Sequence, residues 1–572
     1  MMDVMHDNWL ESLLELDRRN YSGVRNKHVE VFSTYVKGIA KCRVCWSRID
    51  HQELHDFVNK NESMKASRYF DRLRTNLLAS RVVFGFIGIG VVLRMAQYAL
   101  NRSLWLDETM LALNITQRSF IELTQPLSYN QGAPIGFLFM QKFLTQVLGN
   151  SDFVLRLLPF VAGVASILVM YKVASVFLEP AGVLVTVGLF AITDKLVYYA
   201  SEAKQYSSDV LIALLLLFIA YKCLETKTAP GNYIALIVSG VVSMWVSHPA
   251  SFILVGVGFC LALDLFSRPD RHRLAWLGST FLIWMINFVI LYFVYLRTLA
   301  ANPALIDYWR DAFMPMPPWR GVSWFLHSFL TMFTNPVGLV GLITAPIGMI
   351  VFLVGCISVF LRKWQLALIL IVPFPTILLA SGLEKYPFGE RLLLFLVPIV
   401  LLLIGEGTER IRSLVSNISS WASSGVYLTI VVVLFSGPTS LATQNLWNPN
   451  RGEDIKPVIS YIRQHKLDID FIYVYYGASS AFTYYAPIYG FGQQDYYIGT
   501  ESRQKPAKYI RELDKLKSKG RVWIVFSHNC SWCDVDEEKF FLEHLDEIGS
   551  RMDEFRSFLA SAYLYSFDSV DR

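Results

Sequence analysis

The chain contains few charged residues for its length. Of its 572 residues, 17% are charged and 53% are hydrophobic, with a mean hydropathy of +0.38. In soluble proteins roughly a quarter of all residues are charged. An ordinary soluble enzyme is therefore excluded. The net charge of +5 says little about nucleic acid, and we expect no nucleic-acid partner. The distribution of the positive charges between the apolar segments is more informative than the net charge.

Cysteine is also scarce, and its seven residues are scattered. Only two pairs are closely spaced, Cys42 with Cys45 and Cys530 with Cys533. Two histidines follow the first pair, so the spacing allows a small zinc site, but two unrelated cysteines on a helix are the favoured interpretation. The second pair could form a local disulfide or stay as two thiols. We assign neither pair a function.

The apolar residues are gathered in blocks of about 17–25 residues, long enough to cross a hydrocarbon core about 30 Å thick. The first 80 residues hold no apolar run of the length that a cleavable signal peptide needs. We predict a polytopic α-helical membrane protein with about eleven transmembrane helices. The predicted spans are 82–100, 154–178, 181–198, 207–222, 232–247, 250–266, 274–296, 337–360, 364–381, 391–405 and 423–438.

Basic residues between these spans predict the orientation. A basic cluster from Lys65 to Arg81 precedes the first span, which favours a cytoplasmic N-terminus by the positive-inside rule. The apolar stretch 134–148 is short and polar in its middle, so we interpret it as a juxtamembrane helix that does not cross. If it crossed, everything downstream would be inverted. With it outside, each later inner connection is basic, as the rule requires.

Three regions follow from this topology. Residues 1–81 are predicted to be a cytosolic helical extension, 82–440 a transmembrane domain with a first outer loop at 101–153, and 441–572 a small extracytoplasmic α/β domain. In the last region the hydrophobic pattern alternates between helical spacing and β-branched or aromatic runs. It predicts helices over Arg451–His465 and Glu537–Phe558, and strands at 471–476, 522–526 and 562–565.

Polar residues gather at the predicted outer ends of the spans. Carboxylates at the mouth of a membrane helix are costly to desolvate unless they have a partner or a task. An outward-facing acid can act as a general base, and interfacial Lys and Arg side chains can hold a phosphate. The candidate residues are Asp107, Glu108, Gln131, Glu202, Lys204, Tyr206, His248, Glu390 and Arg391.

Each candidate also has a structural interpretation. Asp107 could cap a helix, and Glu202 with Lys204 could be an interfacial ion pair of little energetic value. His248 could simply end a helix, and Arg391 could be a snorkelling anchor. The sequence favours the functional interpretation of Arg391, because a neighbouring acid would neutralise a simple anchor.

Several segments, taken in order, resemble the GT-C glycosyltransferases, especially the group related to protein O-mannosyltransferases and lipid A aminoarabinose transferases. The resemblance covers about residues 82–410. One segment, Tyr198–Tyr206, matches a Ser-Glu-Ala-Arg-x-Tyr pattern with Lys204 in place of the arginine. The other matching segments are Leu106-Asp107-Glu108, Gly132-Ala133-Pro134, Val154-Leu-Arg156-Leu-Leu-Pro159 and Tyr386-Pro-Phe-Gly-Glu390-Arg391.

The resemblance implies transfer of a sugar from a polyprenyl-phosphate donor to a lipid, glycan or protein acceptor, usually with inversion, at the outer face of the inner (plasma) membrane. Asp107 would be the base and Lys204 with Arg391 would hold the donor phosphate, while Glu108 would support its neighbour or bind the acceptor. No resident cofactor is implied, and a divalent metal is allowed but not indicated. The remaining candidates, Glu202, Tyr206, His248, Glu390 and Gln131, would contact the donor or acceptor.

Two other functions stay open at this point. A transporter or flippase of a lipid-linked glycan would need polar residues along a path through the bilayer, and the middles of the spans are nearly free of charge. A non-catalytic envelope assembly protein could keep the fold without the activity. The presence of both Asp107 and Arg391 argues against that last function.

Overall fold

The computed structural model describes residues 63–225, 230–503, 505–528 and 536–567, with side chains from Ser80 onward. The described residues from Ala79 onward form one compact unit. Most of the predicted cytosolic extension, with Cys42 and Cys45, lies outside the described residues. The Cys530 and Cys533 pair also lies outside them.

The described chain is mostly helical. The α-helices longer than three residues are, in order, α1 (Ser63–Ala99), α2 (Leu106–Gln117), α3 (Ile135–Leu148), α4 (Asp152–Phe177), α5 (Pro180–Ile192), α6 (Asp194–Tyr199), α7 (Tyr206–Glu225), α8 (Pro230–Val246), α9 (Ala250–Ser267), α10 (Arg271–Leu291), α11 (Pro303–Tyr308), α12 (Val322–Thr334), α13 (Thr344–Arg362), α14 (Trp364–Ile371), α15 (Pro373–Gly382), α16 (Val397–Ser416), α17 (Ser420–Trp447), α18 (Ile455–His465), α19 (Ser479–Tyr485), α20 (Pro506–Asp514) and α21 (Glu537–Ile548).

Within the described ranges, nine helical segments are long and apolar enough to cross a membrane. They comprise α1, α4, α7, α9, α10 with its continuation to Leu299, α13, the pair α14–α15, α16 with the turn that precedes it, and α17. This confirms the predicted polytopic helical fold. The other two predicted spans correspond to α5 and α8, which are apolar but shorter, with 13 and 17 residues.

The segment between α1 and α4 returns to the end of the bundle at which it begins. Arg156, in the first turns of α4, donates to the carbonyl oxygen of Arg102, just after α1, at 2.6 Å. Within this segment, Lys142 of α3 donates to the carbonyl of Thr116 in α2 at 3.1 Å. The polar residues of α3 thus bind neighbouring backbone groups, which removes the cost of holding them in an apolar helix.

Helix α16 is the centre of the transmembrane bundle and is buried along most of its length. It meets α13 with almost no side chain between the two backbones. A Cβ atom on Gly355 would lie 1.9 Å from the carbonyl oxygen of Leu403, and one on Gly407 would lie 1.9 Å from that of Val351. Small residues at such a crossing allow the dense packing that holds membrane helices together.

The C-terminal region forms a five-stranded sheet of order β2-β1-β3-β5-β4. The β2, β1 and β3 strands are parallel, whereas β3, β5 and β4 are antiparallel. The three predicted strands are confirmed. The strands are β1 (Phe471–Val474), β2 (Tyr496–Ile498), β3 (Arg521–Ser527), β4 (Ser550–Ser557) and β5 (Ala560–Ser566).

The prediction of one helix over Glu537–Phe558 was wrong in its second half. Helix α21 ends at Ile548, Gly549 is extended, and β4 follows as an edge strand. Charged side chains on an exposed edge strand are a common protection against unwanted pairing, and they resemble the solvated face of a helix in sequence. The pairing of β4 with β5 decides the conformation.

The sheet domain packs directly on the segment between α1 and α4. The hydroxyl of Tyr485 in α19 accepts from the backbone N–H of Leu104 at 2.8 Å and donates to Asp152 at 2.7 Å. The hydroxyls of Thr109 and Ser480 are 2.9 Å apart. A shared apolar cluster includes residues of α2, α3 and the sheet domain, so the domain fixes the position of α2.

Candidate functional site

Asp107 lies in the first turn of α2, at the end of the bundle where the sheet domain packs. Its Oδ2 atom is 2.7 Å from Nη2 of Arg391, and its side chain is 20% exposed. Burial alone would raise the pKa of Asp107, but the positive charges of Lys204 and Arg391 outweigh it and hold the pKa below its usual range. Asp107 is therefore ionised at neutral pH.

Lys204 reaches the same place from the loop between α6 and α7. Its Nζ atom donates to Oε1 of Gln131 at 2.5 Å, and the Gln131 amide also interacts with Asp107. Burial lowers the pKa of Lys204, although the charge of Asp107 partly opposes that effect. We call Asp107, Lys204 and Arg391 the charged triad.

Arg391 is held by aromatic rings. Its guanidinium carbon lies 5.5 Å from the ring centre of Trp105 and 5.6 Å from that of Trp309, within the range of cation–π attraction. Its buried Nε finds no hydrogen-bond partner in the part of the chain that the structure describes. The guanidinium thus keeps unused donor capacity in a fixed orientation, which suits a planar, doubly accepting group such as phosphate.

Glu108 is the opposite of its neighbour Asp107, because it is completely buried and every oxygen is bonded. Arg156 donates to it twice, at 3.0 and 2.7 Å, and Arg102 donates once, at 3.0 Å. The backbone N–H of Ala203 donates at 2.7 Å. Burial would raise the pKa of Glu108, but Arg102 and Arg156 lower it to about 2. Glu108 thus ties α2, α4 and the Lys204 loop together.

Glu202 is buried beside this network, yet neither of its carboxylate oxygens has a hydrogen-bond partner in the described ranges. Burial and the negative charge of Glu108 raise the pKa of Glu202 to about 7. Tyr206, four residues on, packs its ring 5.1 Å from that of Tyr199. Glu202 and Tyr206 both lie within electrostatic range of Arg391 of the charged triad.

The two remaining predicted site residues, His248 and Glu390, take no part in the hydrogen bonds of the charged triad within the described residues. His248 is in the turn between α8 and α9, with its ring centre 6.0 Å from that of Tyr295, and burial lowers its pKa to about 4. Glu390 is exposed, and its backbone is left-handed with φ of 44°. Within the described part of the chain its side chain forms no hydrogen bond or ion pair with the charged triad.

Sequence reasoning missed the roles of two arginines and one acid–histidine pair. Arg102 and Arg156 bind Glu108. The sequence places both arginines at the ends of predicted spans, and Arg156 lies in one of the segments that carry the resemblance, but neither signal pairs them with Glu108. From the sheet domain, Glu453 accepts from the backbone N–H of Leu106 at 3.1 Å and lies 2.5 Å from Nδ1 of His528. No local pattern relates residues so far apart in the chain.

Metal-binding groups are not brought together in the parts of the chain that the structure describes, since no three His, Cys, Asp or Glu side chains there could jointly hold an ion. The positive charge next to Asp107 is supplied by Lys204 and Arg391. The site thus combines an ionised carboxylate with two cations at one end of a helical bundle.

Comparison with known proteins bears on this arrangement. A family model described as dolichyl-phosphate-mannose-protein mannosyltransferase matches residues 132–305, a range that includes Glu202, Lys204, Tyr206 and His248. Among solved structures, ArnT from Cupriavidus metallidurans in the apo state matches with a TM-score of 0.51 and 11% identity, over 85% of this chain and 98% of that one. No curated protein sequence matches significantly.

Two further structures match less well. ArnT from Cupriavidus metallidurans bound to undecaprenyl phosphate has a TM-score of 0.48 and 11% identity, over 84% of this chain and 97% of that chain. The archaeal oligosaccharyltransferase AglB from Archaeoglobus fulgidus, in complex with an inhibitory peptide and a dolichol-phosphate, has a TM-score of 0.48 and 11% identity. The match covers 86% of this chain and 74% of that chain.

The family match and the likeness to apo ArnT confirm the predicted resemblance. The chain is a polytopic membrane protein with the GT-C glycosyltransferase fold and a small C-terminal sheet domain.

Proposed function

We propose that the protein is a membrane glycosyltransferase that moves a sugar from a polyprenyl-phosphate donor to an acceptor. The observation that carries this proposal is the charged triad, in which the Asp107 carboxylate lies 2.7 Å from Arg391 and close to the buried Lys204. A base beside two cations is the minimum that sugar transfer from a phosphate requires: one group to accept a proton and two to hold the leaving group.

The transfer is a single displacement. An acceptor oxygen or nitrogen bonds to the anomeric carbon of the donor sugar, and its proton passes to Asp107. The bond between that carbon and the phosphate oxygen breaks, and its electron pair leaves with the polyprenyl phosphate. Arg391 and Lys204 stabilise the negative charge that develops on this phosphate. Attack from the side opposite the phosphate inverts the anomeric configuration.

Donor binding also makes Asp107 a better base in this scheme. Its pKa is low because Lys204 and Arg391 face it, and a carboxylate with a low pKa accepts a proton poorly. A donor phosphate that binds both cations neutralises them, so the pKa of Asp107 rises when the reaction needs it. Glu108 keeps the first turn of α2 in place and takes no proton.

The comparisons support the donor class. The matching family model is named for a dolichyl-phosphate sugar and a protein acceptor, and the fold is that of apo ArnT. The basic connections between the predicted spans support an outer-face position for the triad and a cytoplasmic N-terminus. In this proposal the lipid tail lies between helices, no resident cofactor takes part, and the acceptor is a lipid, glycan or protein.

The test is transfer by the full-length protein in lipid nanodiscs. Radiolabelled polyprenyl-phosphate sugars are supplied with lipid, glycan and peptide acceptors, and labelled products are separated by chromatography. We expect label to move to one acceptor class with release of polyprenyl phosphate. Movement of intact donor across the bilayer of proteoliposomes, without any transferred label, would instead indicate a flippase.

A further inference from the structure

Seven buried polar atoms close to the charged triad have no hydrogen-bond partner among the residues that the structure describes. Almost all buried polar groups in folded proteins are bonded, so a group of unbonded ones indicates a missing partner. We call the six residues that carry them the buried polar cluster: Glu202 (Oε1 and Oε2), Gln205 (Oε1), Ser208 (Oγ), Asp209 (Oδ1), Ser247 (Oγ) and His248 (Nε2).

The cluster continues from the triad into the end of the bundle. Glu202 and Gln205 flank Lys204 in the loop before α7, and Asp209 lies in the first turn of that helix. Ser247 lies next to Asp209, although the two do not meet in hydrogen-bonding geometry. Tyr206 is within electrostatic range of both Arg391 and Asp209, so it connects the triad to the deeper residues.

The chemistry of the unbonded atoms selects their partner. The carboxyl and amide oxygens of the cluster accept hydrogen bonds, and the serine hydroxyls can accept as well as donate. A lipid chain offers no donor. A phosphate would place its negative charge against two carboxylates. A sugar fits, because its hydroxyl or amino groups are donors spaced around a compact ring.

We propose that the buried polar cluster binds the sugar of the donor, with Asp209 and Ser247 recognising hydroxyl or amino groups away from the reacting carbon. The proposal rests on the proposed function and deepens it. Asp209, Ser208 and Ser247 become residues that determine sugar specificity, whereas Lys204 and Arg391 recognise the phosphate that all such donors share. A sugar that lacks the recognised groups leaves buried acceptors unpaired and is rejected.

The experiment compares two probes on the full-length protein in nanodiscs. One probe is bare polyprenyl phosphate, and the other is a set of polyprenyl-phosphate sugars that includes glucose, mannose, N-acetylglucosamine and aminoarabinose. In Asp209→Asn and Ser247→Ala, we expect bare polyprenyl phosphate to bind as in the wild type. The sugar donor that the wild type binds most tightly should bind the variants roughly 10- to 100-fold more weakly.

The matched control is Ser243→Ala. Ser243 is also buried and lies one turn earlier in α8, but its hydroxyl donates to the carbonyl of Gly240 at 3.0 Å, so its loss should change neither binding constant. Thermal stability is measured in parallel. The unliganded Asp209→Asn protein should be at least as stable as the wild type, because the substitution removes no partner seen in the structure.

Three results would contradict the inference. Equal affinity of the wild type for bare and sugar-bearing lipids would overturn the inference alone, since the phosphate site would be intact. Equal loss of both probes, or a marked loss of thermal stability in Asp209→Asn, would mean that the cluster is structural. Failure of the wild type to bind either probe would contradict the proposed function, and the inference with it.

Discussion

Glu108 and Glu202 are both almost fully buried and lie within electrostatic range of each other, yet their surroundings are opposite. Glu108 accepts hydrogen bonds from two arginines and from backbone N–H groups, whereas neither oxygen of Glu202 has a hydrogen-bond partner among the described residues. The same chemical group is thus fully hydrogen-bonded at one position, which we call a closed carboxylate, and without hydrogen bonds at the other, which we call an open carboxylate. A closed carboxylate holds segments together, and an open one is available to a ligand.

Asp107 lies between these extremes. One oxygen meets Arg391, and its side chain keeps a partial exposure that the two glutamates lack. The difference between the two neighbours Asp107 and Glu108 therefore comes from the direction in which α2 points each side chain. Glu108 turns inward onto Arg156 of α4, and Asp107 turns towards the cations. The predictions below test this division between closed and open carboxylates.

The largest expected effect is on activity in Asp107→Asn. The amide keeps the shape but cannot accept the acceptor's proton, so the transfer rate should fall by about 10²- to 10⁴-fold. The variant should still fold, with some loss of thermal stability because the ion pair with Arg391 is removed. Rates are measured in nanodiscs at saturating donor. The matched control is Asp307→Asn, whose exposed carboxylate pairs with Arg310 and should retain full activity. Wild-type rates in Asp107→Asn would exclude Asp107 as the base.

The fold and the candidate residues could largely be predicted from the sequence, because they depend on local signals. Apolar blocks define the spans, and β-branched runs define the inner strands β1, β3 and β5. Edge strand β4 could not be recognised, since its conformation depends on pairing with β5. The open state of Glu202 could not be predicted either, because it depends on which side chains the packed helices bring near it.

The pairing of Arg102 and Arg156 with Glu108 could not be predicted either, because it also depends on helix packing. Asp107, Lys204 and Arg391 were predicted from their placement on one side of the membrane, which hydropathy and basic loops determine. That Arg102 and Arg156 would bind Glu108, and so leave the triad to Lys204 and Arg391, depends on packing between α2 and α4. Sequence patterns indicate which charged residues lie on the same side of the membrane, but they do not show which acid binds which basic residue.

The second prediction concerns the closed carboxylate. Glu108→Ala leaves Arg102 and Arg156 buried without their partner, which should lower the free energy of unfolding by about 3–5 kcal/mol. The stabilisation by Glu108 should be present above its unfolded pKa near 4.5 and lost as the pH falls towards 2, since its folded pKa is depressed. Denaturant unfolding at pH 7 and pH 4 measures both effects. The exposed Glu543→Ala serves as the control, and an equal, small loss in both variants would contradict the closed role.

The third prediction has the opposite sign. The folded pKa of Glu202 is raised to about 7, so the contribution of Glu202 to stability should be most favourable below pH 4.5 and should be lost as the pH rises through 7. A shift of this size corresponds to roughly 3 kcal/mol between the two limits. Glu202→Gln should therefore stabilise the unliganded protein at pH 8 and have little effect at pH 4.5. Destabilisation at pH 8 would show that Glu202 has a partner after all.

The smallest effect is expected for a closed contact without charge. Thr109→Val removes the hydroxyl that meets Ser480 at 2.9 Å and donates to the carbonyl of Leu106 at 2.8 Å, while keeping the side-chain shape. The free energy of unfolding should fall by about 1 kcal/mol. In the double variant with Ser480→Ala the loss should be smaller than the sum of the losses in the two single variants, since both substitutions remove the same hydrogen bond. Thr109→Ser should restore wild-type stability because it keeps the hydroxyl. A loss in Thr109→Val as large as that of Glu108→Ala would mean that the packing of α2 against the sheet domain, rather than its buried charges, determines where Asp107 lies.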